Sequence, residues 1–351
     1  VPCSSRLPNG GSRGPAVRFS VIDMGVVAMI LAACLSTTMA RDKAAALFEL
    51  RSVFLIPTGY YALVRLAALD EHVRQRVVDG FLVGAAGVAI VGLAQAGLGR
   101  NLVAAEGGLE RLQSVYHSPN NVGLYLGRAW PFLAVGALWG HDGLRRSLSL
   151  VWLGLVTAAV GLSFSRGAIL LALPASVLVM GWWSGGRHRW YALGLVGLWA
   201  LILVPVMRTA RFTGLFNLGE GTTFLRLKLW ESSLRMIREH PVLGLGPGNF
   251  LEAYRTRYIL PAAWEEFNLE HAHNVLLDHW TRLGMLGVAA GVAAQVGFWR
   301  AVGRRRCGLA LGLVGSMAAA LAHGLVDNAF FFPDLALVSA LTLALAQRRS
   351  R

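Results

Sequence analysis

Residues 80–99 have the sequence GFLVGAAGVAIVGLAQAGLG, twenty consecutive residues without a charged side chain. At about 1.5 Å per residue, a helix of this length crosses the roughly 30 Å hydrocarbon core of a membrane. Similar apolar runs recur along the chain. The ten candidate spans are residues 20–39, 52–69, 80–99, 121–140, 147–164, 168–184, 190–206, 274–298, 308–326 and 333–347. This pattern predicts an all-α polytopic membrane helix bundle with about ten transmembrane helices.

The composition of the 351 residues supports the same class. Hydrophobic residues make up 55% of the chain and charged residues 15%, against about 25% charged residues in an average soluble domain. A soluble globular protein, a disordered chain and a collagen are therefore excluded. The three cysteines (Cys3, Cys34 and Cys307) fall in a tail, an apolar span and a basic loop, so they imply no disulfide framework.

The net charge of +14 comes almost entirely from arginine, and the isoelectric point is near 10.9. These arginines are scattered singly or in pairs between apolar blocks and are not gathered on one soluble face. Such a distribution is typical of topology signals and of contacts with anionic lipid head groups. We therefore expect membrane lipids as partners and no nucleic acid.

Basic residues in the short connecting segments predict the orientation. With the N-terminus in the cytoplasm, sixteen of them lie inside and six outside. Both termini are then cytoplasmic, and the long hydrophilic insert, residues 207–272, lies on the outer face. Residues 1–19 are predicted to be a flexible cytoplasmic tail, and residues 20–351 a single transmembrane domain that contains the insert. Because the chain begins with Val1 instead of methionine, we expect that the N-terminus is truncated and that further spans precede it.

The insert is predicted to be folded. Thr222 or Thr223 can cap a helix that runs to about Glu239, before His240-Pro241 ends it. Its expected apolar face consists of Leu227, Trp230, Leu234 and Ile237. The glycine turn at 244–249 follows a helix and contains a proline, which disfavours a dinucleotide site.

Two histidines stand where the insert enters the eighth span, in the sequence His271-Ala272-His273-Asn274. A histidine at a membrane boundary can accept a proton from an attacking hydroxyl, although it can also simply cap the helix. The pair could bind a metal, but no nearby carboxylate or cysteine completes a site at convincing spacing. We therefore predict no metal and no cofactor.

Other polar groups are expected on the same outer side. They are the break Ser163–Gly167 with Arg166 at its centre, Arg226 on the insert helix, the segment from Arg111 to Asn121 with Asn120, and the pair Asp327-Asn328. Arginines beside hydrocarbon either snorkel to the surface or bind an anion such as a phosphate. The asparagines can equally cap the fourth span. Their predicted convergence in one compartment favours a binding or catalytic site.

Taken together, these motifs resemble the O-antigen ligase/polymerase superfamily of integral-membrane glycosyltransferases. The resemblance covers residues from about 110 to 330 and depends on the order and spacing of several short stretches. They are Arg111 with Ser118–Asn121, Ser165–Gly167, Arg226–Trp230, His240–Phe250, and His273-Asn274 followed by Leu283–Gly287.

The resemblance implies a multi-pass protein of the bacterial inner membrane that builds cell-surface polysaccharide. It implies that a glycan moves from a polyprenyl diphosphate carrier to an acceptor hydroxyl, on a lipid-linked or other surface glycan, with inversion at the anomeric carbon and without a metal. His273 would be the catalytic base, and Arg166 and Arg226 would bind the diphosphate. Arg111, Asn120 and Asn274 would contact substrate.

Three other interpretations stay open at this point. The first is a chain polymerase of the same superfamily. The second is an anion or solute transporter, which should place ionisable residues within the spans; Asp23, Arg65 and Arg128 are the main candidates but form no obvious set. The third is an assembly subunit without chemistry.

Overall fold

The computed structural model describes residues 18–67, 70–105, 108–140, 142–303, 305 and 307–347. Residues 1–17 of the predicted tail lie outside these ranges, as do seven of the arginines used to predict the orientation (Arg6, Arg13, Arg304, Arg306, Arg348, Arg349 and Arg351). The α-helices are α1 (Val21–Thr37), α2 (Lys43–Glu49), α3 (Ile56–Ala67), α4 (Glu71–Gly97), α5 (Pro119–Trp139), α6 (Gly143–Leu162), α7 (Leu173–Ser184), α8 (His188–Met207), α9 (Ala210–Thr213), α10 (Gly221–Glu239), α11 (Phe250–Ala253), α12 (Val275–Val302), α13 (Gly308–Gly324) and α14 (Pro333–Ala346). Short π-helical segments cover Leu50–Leu55, Ala168–Ala172 and Tyr254–Tyr258, and 3₁₀ turns cover Gly214–Phe216 and Pro261–Glu266.

Each of the ten predicted spans falls on one of these helices or on adjoining helical segments. Among the described residues, four helices, namely α4, α6, α8 and α12, are long and apolar enough to cross a membrane. The apolar segments Val21–Thr37, Ala168–Ser184, Gly308–Gly324 and Pro333–Ala346 are shorter. The helical bundle is thus confirmed, and the number of ten spans stays a prediction.

One short hairpin interrupts the helical pattern. Strands β1 (Leu102–Ala104) and β2 (Glu110–Leu112) pair in antiparallel register, with Leu102 opposite Leu112. The sequence did not indicate this hairpin, because three residues per strand are too few to show an alternating pattern. Its importance is positional: it fixes Arg111 against the break between α6 and α7.

Helix α13 lies at the centre of the bundle, in contact with α5, α7, α12 and α14. Most of its residues are buried, which fits a segment that is apolar all around. Around it, α1 packs along α12 and α3 packs along α14. This arrangement brings the N-termini of α5 and α12 close to the C-terminus of α13.

Side-chain caps fix two of those helix termini. The Asn274 Oδ1 accepts hydrogen bonds from the backbone N–H groups of Leu276 and Leu277, at 3.0 and 3.1 Å. Ser118 caps α5 in the same way, with Pro119 in the first helical position. Each cap satisfies N–H groups that a helix leaves unpaired and sets where the following polar side chains emerge.

The insert helix α10 exists as predicted, but two details differ. Glu220 stands at its N-cap position and makes no side-chain cap. Thr222, one of the two predicted caps, lies inside the helix, and its hydroxyl accepts a hydrogen bond from Arg166. The buried face differs in part from the predicted one: Ile237 is buried as predicted, but Leu229 and Met236 are also buried, whereas Leu227 and Leu234 are exposed. Burial follows contact with the aromatic cluster of α11 and its π-helical extension (Phe250, Tyr254 and Tyr258), which the helix's own periodicity does not reveal.

Candidate active site

The residues His271–Asn274 form a tight bend in front of α12. The buried Ala272 donates its backbone N–H to Asp278 Oδ1 at 2.8 Å, one turn inside the helix. This bond holds the chain so that His273 has a φ of +50°, a left-handed conformation that is costly for residues other than glycine. Strain of this kind often accompanies functional positions.

His273 forms a hydrogen-bonded pair with Asp327, which follows α13. The His273 Nδ1–H donates to Asp327 Oδ1 at 2.8 Å, and Asp327 is only 3% exposed. With Nδ1 protonated, the Nε2 of the neutral imidazole carries a lone pair and can accept a proton. His271 lies beside the pair, with its ring centroid 4.2 Å from that of His273 and its Nε2 3.7 Å from Asp327 Oδ1.

The charge state of the pair follows from its surroundings. Burial by itself would raise the pKa of the Asp327 carboxyl, but His273, His271 and Arg226 together hold it well below its usual range. Burial, together with the neighbouring His273, lowers the pKa of His271. Asp327 is therefore an anion at neutral pH, and His271 is a neutral imidazole.

A chain of hydrogen bonds supports the Asp327 carboxylate from behind. Asn120 Nδ2 donates to Asp327 Oδ2 at 2.9 Å, and Arg111 Nη2 donates to Asn120 Oδ1 at 2.7 Å. Arg111 is anchored in turn by its Nε–H, which donates to the Ser163 carbonyl at 2.9 Å. Arg111 and Asn120 thus belong to the hydrogen-bond chain behind the His273–Asp327 pair, and the contact with substrate that the resemblance implies for them stays a prediction.

The two predicted diphosphate ligands, Arg166 and Arg226, lie on the insert side of the His273–Asp327 pair. Arg166 donates to the Arg211 carbonyl at 3.0 Å and to the Thr222 hydroxyl at 2.7 Å. Arg226 lies one helical turn after Thr222, so it shares that face of α10. It is half-buried and makes no hydrogen bond or ion pair with any other described residue, while its charge acts on Asp327. A bound anion would supply the hydrogen-bond and ion-pair partner that Arg226 lacks among the described residues.

A further arginine, which the sequence did not single out, contacts the break between α6 and α7. Arg211 is 6% exposed and donates its Nε–H to the Phe164 carbonyl at 3.3 Å. Phe164 itself has a φ of +44°, the second strained position at the site. Arg211 lies in the short helix α9, and nothing in its local sequence indicates that it reaches the break.

A buried ionic cluster anchors the start of α12. Arg282 donates to Asp278 Oδ1 at 2.7 Å, and its Nε lies 3.0 Å from Glu49 Oε1. Its guanidinium also lies 4.6 Å from the centroid of the Phe331 ring. Because Asp278 also binds the Ala272 N–H, this cluster fixes the bend that carries His273.

Helix α12 is broken at Gly284, where φ is +65°. A Cβ at this position would lie 2.1 Å from the Val242 carbonyl oxygen, so only glycine allows the insert to approach so closely. Three backbone hydrogen bonds join the two segments across the break: Leu245 N–H to Thr281 O, Gly246 N–H to Arg282 O, and Met285 N–H to Pro241 O. The glycine turn of the insert and the stretch Leu283–Gly287 are therefore packing partners.

His271, His273 and Asp327 could together hold a metal ion, since their ligand atoms lie within 4.8 Å of one another. The sequence argument against a metal depended on the lack of a nearby carboxylate. Asp327 supplies one from 54 residues further along the chain. The absence of a metal thus stays a prediction.

The predicted site residues converge with one exception. His273, Arg166, Arg226, Arg111 and Asn120 surround one region at the ends of α5, α10, α12 and α13. The Asn274 side chain is instead used by the cap of α12 and by the Leu325 carbonyl, to which it donates at 3.0 Å. Its predicted role in substrate binding finds no geometric support.

The ionisable residues that the sequence places within the spans have partners inside the bundle. Asp23 and Arg65, whose pairing the sequence does not indicate, lie 3.6 Å apart, and Tyr61 donates to the same carboxylate at 2.5 Å. Arg128 donates to the Leu335 carbonyl and to the Ser339 hydroxyl at 2.9 and 2.8 Å. Contacts of this kind stabilise a bundle.

Comparison with known proteins gives a family. Residues 149–292 match the family described as O-Antigen ligase. This match supports membership of the O-antigen ligase superfamily. The matched segment runs from α6 to α12 and includes Arg166, Arg226 and His273, while Arg111, Asn120 and Asp327 lie outside it. A search of curated proteins found no match.

The match to the O-antigen ligase family and the apolar helices together indicate an integral membrane protein. At the family level they support a membrane glycosyltransferase of the ligase type. Arg111, Asn120 and Asp327 lie outside the matched segment, and their hydrogen bonds are what connects them to the site.

Proposed function

We propose that this protein transfers a glycan from a polyprenyl diphosphate carrier to an acceptor hydroxyl on the outer face of the bacterial inner membrane. The observation that carries the proposal is the hydrogen-bonded His273–Asp327 pair beside the cationic group formed by Arg166 and Arg226. A base and an anion site in one place are what glycosyl transfer from a diphosphate carrier needs.

The base acts on the acceptor. Asp327 accepts the Nδ1–H of His273 and fixes the tautomer, which leaves Nε2 to take the proton from the acceptor hydroxyl. The acceptor oxygen forms a bond to the anomeric carbon while the bond from that carbon to the diphosphate oxygen breaks. The electron pair of the broken bond leaves with the diphosphate, and attack from the opposite side inverts the anomeric configuration.

The arginines act on the leaving group. Departure of the carrier concentrates negative charge on the diphosphate, and the guanidinium groups of Arg166 and Arg226 stabilise it through hydrogen bonds in a shielded site. We propose that they do so without a metal, a point that activity in the presence of a chelator would test.

The lipid part of a substrate needs an apolar environment next to this site. A mostly apolar cavity of about 290 Å³ extends along α12 from Val275, two residues after His273, towards Trp299. Gln295 and Arg128 are among its few polar lining residues. A cavity that starts at the catalytic bend suits a prenyl or acyl chain.

Transfer by the purified protein in liposomes tests the function. The assay supplies a polyprenyl-diphosphate glycan with candidate lipid-linked and surface-glycan acceptors, with and without a chelator. We expect a glycosylated acceptor of inverted anomeric configuration together with free polyprenyl diphosphate. Anion uptake without any glycosylated product would contradict the proposal and favour a transporter.

The proposed orientation places Glu220 outside and Gly303 inside. Single cysteines at these positions, in a variant without the native cysteines, should react differently with a membrane-impermeant maleimide added to intact cells. We expect labelling at position 220 and none at position 303 until the cells are opened. The reverse pattern would invert the topology and remove the site from the outer face.

Conservative replacement of the arginines should impair turnover. Arg166→Lys and Arg226→Lys keep the charge but lose the planar, multiple-donor group that suits a diphosphate. We expect kcat to fall by on the order of 10- to 100-fold, with a smaller rise in KM, since the contact strengthens as the leaving group departs. The control is Arg238→Lys, an exposed position on the same helix. Normal turnover in both site variants would exclude these arginines from the mechanism.

A further inference from the structure

His323 is a buried histidine that the mechanism above does not use. It lies in the last turn of α13, one helical turn before Asp327, and is 2% exposed. Its ring packs directly on Gly167: a Cβ at that glycine would lie 2.3 Å from His323 Cδ2 and 2.4 Å from Nε2. The imidazole therefore contacts the break immediately after Arg166.

Within the described ranges, the His323 ring forms no hydrogen bond. Its Nδ1 is enclosed and forms no hydrogen bond with any residue that the structure describes. Buried polar atoms are nearly always paired, so an orphaned one needs an explanation. On the same break, Ser165 is fully buried, and its Oγ likewise lacks a partner within the described ranges. Two unpaired polar groups thus flank the Arg166–Gly167 backbone.

The surroundings favour an anion as the missing partner. Arg226, which has no partner in the described chain, lies close enough to His323 for an electrostatic interaction. Arg166 precedes the glycine on which the ring rests. Asp327 is not the partner, because no hydrogen bond joins it to His323 Nδ1; its oxygens bind His273, Asn120 and the Asn328 N–H.

We infer that His323 is a binding residue for the diphosphate of the donor, to which an imidazole N–H donates a hydrogen bond between the Arg166 and Arg226 guanidinium groups. This inference rests on the proposed function for the nature of its ligand. The imidazole acts only as a hydrogen-bond donor to a phosphate oxygen, and the proton stays on the ring. Gly167 is required for this arrangement, because any side chain there would displace the ring.

Binding of farnesyl diphosphate, a short soluble analogue of the carrier, tests this inference separately from catalysis. The purified wild type is compared with His323→Leu, which removes the donor, and with His323→Gln, which keeps one. We expect His323→Leu to raise the Kd by about 10- to 100-fold, the usual value of a hydrogen bond to a charged group, and His323→Gln to recover most of this loss. The control is His188→Leu, an exposed histidine at the start of α8 whose Nδ1 is 3.2 Å from the Gly185 carbonyl oxygen and which does not line the cavity.

The outcomes separate the inference from the proposed function. Equal affinity of wild type and His323→Leu would overturn the role of His323 and leave the transferase intact. Loss of binding in His323→Leu, in a protein that transfers no glycan, would support the diphosphate site and overturn the transferase. A wild type that does not bind farnesyl diphosphate would overturn both. If His323→Leu does not fold, His323→Met, which has a side chain of similar volume and no N–H donor, takes its place in the comparison.

Discussion

Replacing His273 with alanine is expected to lower the rate of glycan transfer by on the order of 10²–10⁴-fold, the usual contribution of a general base. The expectation follows from the 2.8 Å bond between His273 Nδ1 and Asp327 Oδ1, which holds the ring with Nε2 able to accept a proton. Asp327→Asn should be similarly damaging, because it removes the anion that fixes the tautomer.

His271→Ala is the matched control, since its ring lies beside that of His273 but 3.7 Å from the carboxylate. Rates are measured at equal membrane abundance over about pH 5.5 to 8.5. The contacts that hold the pKa of Asp327 well below its usual range keep it ionised throughout, so its anion would be lost only at a much lower pH. Loss of activity on the acid side then reports protonation of an imidazole. A near-normal rate for His273→Ala, or a larger loss for His271→Ala, would show that His273 is not the base.

Arg282→Met is expected to be the most destabilising single change near the site. Arg282 is 5% exposed, and its loss would leave Asp278 and Glu49 buried without their counter-ion. Breaking a buried pair from one side typically costs about 3–5 kcal/mol. The bend at His273 should loosen as well, because Asp278 holds Ala272.

The midpoint of thermal unfolding in detergent measures this effect. Arg235→Met is the control, since Arg235 pairs with Glu231 on the exposed surface of α10 and such pairs contribute little. Equal midpoints for the two variants would show that the buried cluster does not stabilise the fold.

The sequence predicts the helices well because membrane spans are a local property. An apolar run of sufficient length forms a helix wherever it lies, so each predicted span falls on helical structure. The insert helix is likewise visible from its own residues. Its N-cap cannot be read from those residues: Thr222, a predicted cap, instead accepts a hydrogen bond from Arg166, a residue 56 positions away.

The site is only partly visible in the sequence, because it depends on contacts between residues that lie far apart along the chain. His273, Arg166 and Arg226 stand in short recognisable motifs. Asp327 was noted only as a polar residue at the end of a span, and its role depends on the packing of α13 against α12. Arg211 and His323 have no local signature, because what distinguishes them is a contact with the break Ser163–Gly167.

The three backbone hydrogen bonds across the break at Gly284 limit how substrates can reach His273. They join the insert to both halves of α12, so the insert cannot swing away from α12 like a hinged lid unless all three are broken. Each would cost about 0.5–1.5 kcal/mol or more if left unpaired. Under the proposed function, we therefore expect a lipid-linked donor to approach His273 sideways, by diffusion within the plane of the bilayer, and not by displacement of the insert from α12.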